Sequence, residues 1–179
     1  MNTPRSLPVA PLTRQAFTPF GEVIDTRGAD SFPINHGRTE RFHALATVEV
    51  LGEGARGILS VFRGQPLTPL VISSMERHPL GSQAFVPLNR QPFLAVVAPP
   101  GEFDERAVRA FLVHGGQGVS YRAGTWHAPL LPLYPDSDYL VVDRQGPGQN
   151  CDEVTLTAPL SLEMSGVDSQ PDFPGEQTG

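Results

Sequence analysis

Two short stretches of this chain concentrate side chains that can do chemistry. The first, SSMERHPLGSQAFVPL at residues 73–88, carries Glu76 and His78 with one residue between them, then a Pro79-Leu80-Gly81 turn and Gln83. The second, Gly124-Thr125-Trp126-His127, supplies another imidazole. An imidazole titrates near neutral pH, so it can take a proton from one atom and return it to another. Two imidazoles and a carboxylate are also a ligand set suited to an octahedral divalent metal. Glu76, His78 and His127 are therefore the catalytic candidates, with His127 or Glu76 as base and His78 as ligand or acid. The same three with Gln83 form the candidate metal set. Gln83 is a neutral, weak ligand, so a site of modest metal affinity and a metal-free site are both open.

These groups work together only if the chain positions them together. Alternation along a strand sends every second side chain to one face, so Glu76 and His78 point the same way. Gln83 is out of phase with His78 on a straight strand, and the Pro79-Leu80-Gly81 turn resets the phase. The segments 20–25, 57–63, 93–98 and 139–144 read as strands, with FLAVVA at 93–98 buried on both faces. RFHALATVEV at 41–50 alternates roughly, and 26–40 reads as a loop. Thr13 to Phe17 suits a helical turn capped by Thr13, and 104–113 starts as a helical turn and then extends. The 19 prolines and 18 glycines disfavour long helices. The predicted fold is mainly all-β, an antiparallel barrel or sandwich with a few short helices, enclosing a ligand pocket. Residues 1–160 are predicted to form one domain, and the polar stretch 161–179 a disordered tail.

Bulk properties exclude several functions. The net charge is −6, from 13 basic and 19 acidic residues, with no basic run, which excludes nucleic-acid binding. An anionic substrate must then be met by local arginines. No stretch reaches the roughly 20 apolar residues of a membrane span. The N-terminal residues lack a signal-peptide core. The single cysteine, Cys151, precludes an intrachain disulfide and fits a reducing, cytoplasmic setting. Cys151 is expected to be small and buried, with Asp152 and Glu153 raising its thiol pKa. Trp126 is expected to pack, Arg77 to face outward, and His36, His43 and His114 to be surface or structural groups.

Together the two stretches resemble the two motifs of the cupin barrel. The first motif runs His-x-His, three or four residues, then Glu; its places hold Glu76, His78 and Gln83 here. The second runs Pro-x-Gly-x-x-His; its places hold Arg122, Gly124 and His127. At closer range, INHGRTERFHALA, MERHPLGSQAFVPL, QGVSYRAGTWHAPLL and VVDRQGPGQNCDE resemble the signature segments of ureidoglycolate lyases, a likeness spanning roughly residues 8–156. The resemblance implies a cupin-type barrel, a homodimer, a cytoplasmic role in allantoin and purine catabolism, and a divalent metal, often given as nickel. It also implies the reaction: ureidoglycolate gives glyoxylate and urea. One departure stands out. The family reads Trp-His-His-Pro, and this chain has Ala128 in the second histidine's place. On a straight strand position 128 faces away from His127, so Ala128 is expected to touch the wall.

The cluster suits that reaction. One carbon of ureidoglycolate carries a hydroxyl, a carboxylate and the urea nitrogen. Cleavage needs a base for the hydroxyl proton and an acid for the departing nitrogen. The carboxylate needs a counter-charge, for which an arginine fork is the usual solution. Arg63 and Arg144 are the candidates. Asp143 is expected to orient Arg144 or the urea, Gln83 to contact substrate, and Asn35 to donate to the urea carbonyl. Two other readings compete. Another cupin enzyme, a metal-dependent dioxygenase or isomerase, is disfavoured by Gln83 where a carboxylate is usual. A non-catalytic small-acid binder is disfavoured by the lack of a signalling domain.

Overall fold

The computed structural model describes residues 3–167. The chain runs through β1 (Arg5–Pro11), α1 (Arg14–Phe17), β2 (Gly21–Ile24), β3 (Ser31–Ile34), β4 (Thr39–Phe42), β5 (Arg56–Gly64), β6 (Val71–Arg77) and β7 (Gln83–Pro87). It continues through β8 (Phe93–Ala98), β9 (Arg109–Val113), β10 (Gly118–Tyr121), β11 (Trp126–His127), β12 (Leu131–Pro132), β13 (Ser137–Gln145) and β14 (Asp152–Glu163). The helical content is small, as the prolines and glycines predict. Thr13 caps α1 by accepting from the Ala16 N–H at 3.1 Å, and a 3₁₀ turn at Glu105–Ala107 leads into β9.

Seven strands form one sheet in the order β11-β6-β14-β1-β9-β8-β12, and β11 also pairs with β8. That extra pairing closes the sheet into a barrel. Five strands form a second sheet, β2-β10-β7-β13-β5. It packs over the β8–β9 side of the first. Strand β8 explains the arrangement. Leu94, Val96 and Ala98 belong to the core inside the closed barrel, and Phe93, Ala95 and Val97 to the core between the two sheets. A strand buried on both faces must be apolar at every position, and 93–98 is.

Four details depart from the sequence-based expectation. The barrel is mixed, because β1 runs parallel to both β14 and β9. No hairpin joins β1 to either partner, so nothing imposes an antiparallel direction. The expected loop at 26–40 contains β3 and the start of β4, a two-stranded hairpin whose residues are mostly exposed. It buries little, so its residues show no apolar alternation. The roughly alternating stretch 41–50 is strand only to Phe42, and Val50 makes only an isolated bridge to Gly81. Strand β14 extends to Glu163, so 161–163 are sheet rather than tail. Of the stretch expected as a tail, 168–179 lie outside the described residues.

Candidate active site

The cluster forms where β6 and β11 meet. Their register sets His127 directly opposite Glu76, which brings His127 Nε2 to 3.6 Å from Glu76 Oε1. The chain leaves β6 after Arg77, and His78 folds in with its Nε2 at 3.8 Å from the same oxygen. The two imidazole centroids lie 5.1 Å apart. Gly124 joins the two stretches: its N–H donates to the His78 carbonyl at 2.9 Å. Its φ of +81° is open to glycine at little cost, which accounts for glycine at this position. The turn after His78 is held by Asn150, whose Oδ1 accepts from the Leu80 N–H at 2.7 Å. Gln83 emerges from that turn into the same cavity as His78, so the phase is reset as expected.

Hydrogen bonding fixes the chemical character of these atoms. His78 Nδ1 lies 2.6 Å from the Asn150 carbonyl, and His127 Nδ1 2.9 Å from the Thr125 carbonyl. A carbonyl only accepts, so each Nδ1 carries the proton and each Nε2 of a neutral ring presents a lone pair. Both Nε2 atoms are buried without a hydrogen-bond partner, and so is Gln83 Oε1. The Nε2 atoms of His78 and His127 thus meet at the Glu76 carboxylate, and Gln83 lines the cavities beside them. Such a set calls for a proton or a cation. His, carboxylate and amide oxygen fit a divalent metal, and backbone acceptors behind ligating imidazoles are the usual support. Glu76, His78 and His127 lie close enough together to share one ion.

Electrostatics follow from the same contacts. When its ring carries a second proton, His127 holds the Glu76 carboxyl below its ordinary value despite burial, and a protonated His78 acts in the same direction. Burial pushes Asp143 upward, opposed by the nearby Gln83 amide and by His78. Tyr121 lies against His127 at 4.7 Å between centroids with the rings inclined by 27°. Burial raises its phenol far above the ordinary range.

Two cavities open from the cluster and share Gln83. The larger, about 410 Å³, is lined by Phe62, Arg63, Glu76, Phe85, His127 and Leu130 among others. The smaller, about 210 Å³, is lined by His78, Ser82, Asp143, Arg144 and Asn150. The structure therefore gathers Glu76, His78, Gln83, His127 and Asp143, with Arg63 and Arg144 at the cavity walls. The arginine forks are engaged elsewhere. Arg63 bonds Asp138 at 2.7 and 2.8 Å. Arg144 is buried and donates to the carbonyls of Leu51, Gly146 and Pro147. Asn35 is not brought to the cluster; it is exposed at the β3–β4 turn and donates to Thr39.

Other residues refine or correct the sequence reading. Ala128 is buried among the apolar side chains of the closed barrel, facing away from His127 as expected. Arg77 does not simply face solvent. It bonds Asp152 at 2.8 Å and lies over the Trp126 ring at 4.5 Å. Cys151 is exposed rather than buried, since it follows β13 on the loop before β14. Its thiol is raised by partial desolvation and by Glu76, Glu153 and Asp152, so the predicted direction holds. Sequence reasoning missed Tyr121 and Asn150. Both lie within the signature segments, but Asn150 acts on His78 through its main-chain carbonyl, which no side-chain pattern reveals.

A cupin-type β-barrel with a His, His, carboxylate cluster opening into two cavities defines a small-molecule enzyme with a metal-competent site. Comparison with known proteins narrows the class. The profile of the ureidoglycolate lyase family matches residues 4–163. A ureidoglycolate lyase of Burkholderia cepacia is 55% identical over 160 residues, covering 88% of this chain and 90% of that protein. One from Pseudomonas paraeruginosa is 54% identical over 168 residues, covering 93% and 99%. One from Burkholderia mallei is 52% identical over 159 residues, covering 88% and 94%. The chain belongs to the ureidoglycolate lyase family.

Proposed function

We propose that this protein is a carbon–nitrogen lyase that eliminates urea from ureidoglycolate to give glyoxylate, in allantoin and purine catabolism. The observation that carries the reading is the pair of partnerless Nε2 atoms of His78 and His127 set around Glu76, with Gln83 in the same cavities, in a chain of this family. The substrate hydroxyl enters between the imidazoles. His127 or Glu76 takes its proton, the oxygen closes to a carbonyl, and the C–N pair leaves on the urea nitrogen. The same proton, relayed through the cluster with His78, completes urea, so the reaction consumes no water. Each positioned transfer contributes about 10²–10⁴-fold. Both Nδ1 atoms keep their protons, donated to backbone carbonyls, which leaves Nε2 of each ring as the working atom.

Glu76, His78, Gln83 and His127 would hold a divalent metal such as nickel. When bound, that ion supplies Lewis acidity, lowering the pKa of a hydroxyl and offsetting carboxylate charge. Arg63, at the larger cavity, is the candidate for the substrate carboxylate, exchanging its Asp138 partner for it. Arg144 shapes the smaller cavity from behind, where Asp143 and Gln83 accept from the ureido N–H groups. We further infer a cytoplasmic homodimer. Strand β5 ends the five-stranded sheet, and its Leu59 and Val61 are 71% and 60% exposed. An apolar sheet edge of this kind suits a second copy.

The test is direct. Purified protein is given ureidoglycolate, and glyoxylate, urea and ammonia are followed against the spontaneous-decay blank, before and after chelation. The expected products are glyoxylate and urea in equal amounts. Product formation no faster than the blank, or ammonia in place of urea, refutes the assignment.

A further inference from the structure

We propose that Asp143 is a positioning residue: it fixes the Gln83 amide so that its oxygen, not its nitrogen, faces the cluster. The site described above is the reading on which this rests. An amide side chain has a donor end and an acceptor end of nearly the same shape, and only its neighbours choose between them. Strands β7 and β13 pair with Ala84 opposite Val142. Continuing that register by one residue sets Gln83 opposite Asp143. On its other side Gln83 pairs with Tyr121, the residue lying against His127. Tyr121, Gln83 and Asp143 therefore form one row across the five-stranded sheet, and Gln83 and Asp143 line the same cavity as His78.

The row decides the amide. Asp143 and Gln83 face each other across this row, the Gln83 amide acts on the Asp143 carboxyl as a donor, and Gln83 Oε1 is buried with no partner. The end turned toward Asp143 is therefore the Gln83 NH₂. A flipped amide would set two oxygens against each other and aim NH₂ at the imidazole lone pairs. That arrangement repels a cation. With Asp143 behind it, Gln83 offers a cation a carbonyl oxygen polarised by an adjacent carboxylate. The weak neutral ligand thereby acquires part of the character of the carboxylate that cupins usually carry there.

The experiment uses the full chain and Ni²⁺ alone, titrated by calorimetry without substrate, with folding checked by circular dichroism. D143L removes the acceptor at similar size, Q83L removes the oxygen, and Q83L/D143L removes both. Supporting-residue losses of about 10–100-fold in metal affinity are typical, and that range is expected for D143L. Q83L/D143L should bind no more weakly than Q83L, because Asp143 acts through Gln83. The swap Q83E/D143N, with the carboxylate now inward and the amide behind it, should restore binding. An unchanged D143L, an additive double variant, or a swap no better than D143L overturns the proposal. If D143L fails to fold, D143A takes its place in the same comparison. A wild-type chain that binds no Ni²⁺ refutes the metal set, and orientation is then read from the Gln83 NH₂ resonances. Protected, shifted resonances that D143L abolishes support the proposal; unprotected ones overturn it.

Discussion

The two interiors of this molecule obey opposite rules, although single strands line both. Inside the closed barrel, Met75, Leu94, Val96, Leu112, Trp126, Ala128 and Leu160 pack against one another. Between the sheets, an aromatic core of Phe17, Phe85, Phe93, Phe111 and Tyr139 fills the space, and the polar cluster adjoins it through Tyr121 and Phe85. Met75 and Glu76 are neighbours on β6 yet face different interiors; so are Trp126 and His127 on β11. Alternation thus separates barrel packing from the proposed site within a few residues. A substitution on one face should register in melting and on the other in turnover.

The sharpest way to break that separation is His127→Ala. It should lower kcat by about 10²–10⁴-fold, measured as glyoxylate release above the blank, with the fold retained by circular dichroism. Met75→Ala tests the opposite face. Truncating a buried methionine costs about 2–5 kcal/mol, read by urea unfolding, while kcat/KM per folded molecule stays near wild type. Equal damage to both properties in either variant would contradict the division.

Ala128→His sharpens the comparison further. An imidazole entering the apolar interior should cost about 1–3 kcal/mol from overpacking and an unpaired polar group. Turnover should not rise, and a rise would mean that position 128 reaches the substrate.

The smallest effect is in acid. Glu76 has a folded-state pKa below its ordinary 4.5, so its ionised form is favoured by folding. That contribution is complete above the ordinary value and disappears as pH falls through the lower folded value. Melting temperature should therefore drop on acidification below about 4.5, more steeply in wild type than in Glu76→Gln. Parallel curves would show that the His127 contact contributes nothing to folding.

Much of this was legible in the residue order. Period-two alternation predicted Glu76 and His78 on one side, where they lie although His78 falls just past the end of β6, and the Gly124-x-x-His127 spacing marked the second stretch. The unbroken run at 93–98 announced a strand with two buried faces. What escaped has a common cause. Parallel pairing of β1, the Tyr121–Gln83–Asp143 row and the Asp138 partner of Arg63 are set by register between distant strands, which local periodicity does not encode. The hairpin of β3 and β4 escaped because it buries too little to leave a pattern. Cys151 was misplaced because small size favours burial on average, whereas the loop it occupies lies on the surface.

The hydrogen bond from Gly124 to the His78 carbonyl has one more consequence. It is made entirely by main chain, so drift in the flanking side chains does not alter the gauge between the two rings. The loops are clasped like the jaws of a caliper, and a guest that displaces one drags the other. Only a change that removes the amide hydrogen, proline at 124, undoes the clasp chemically.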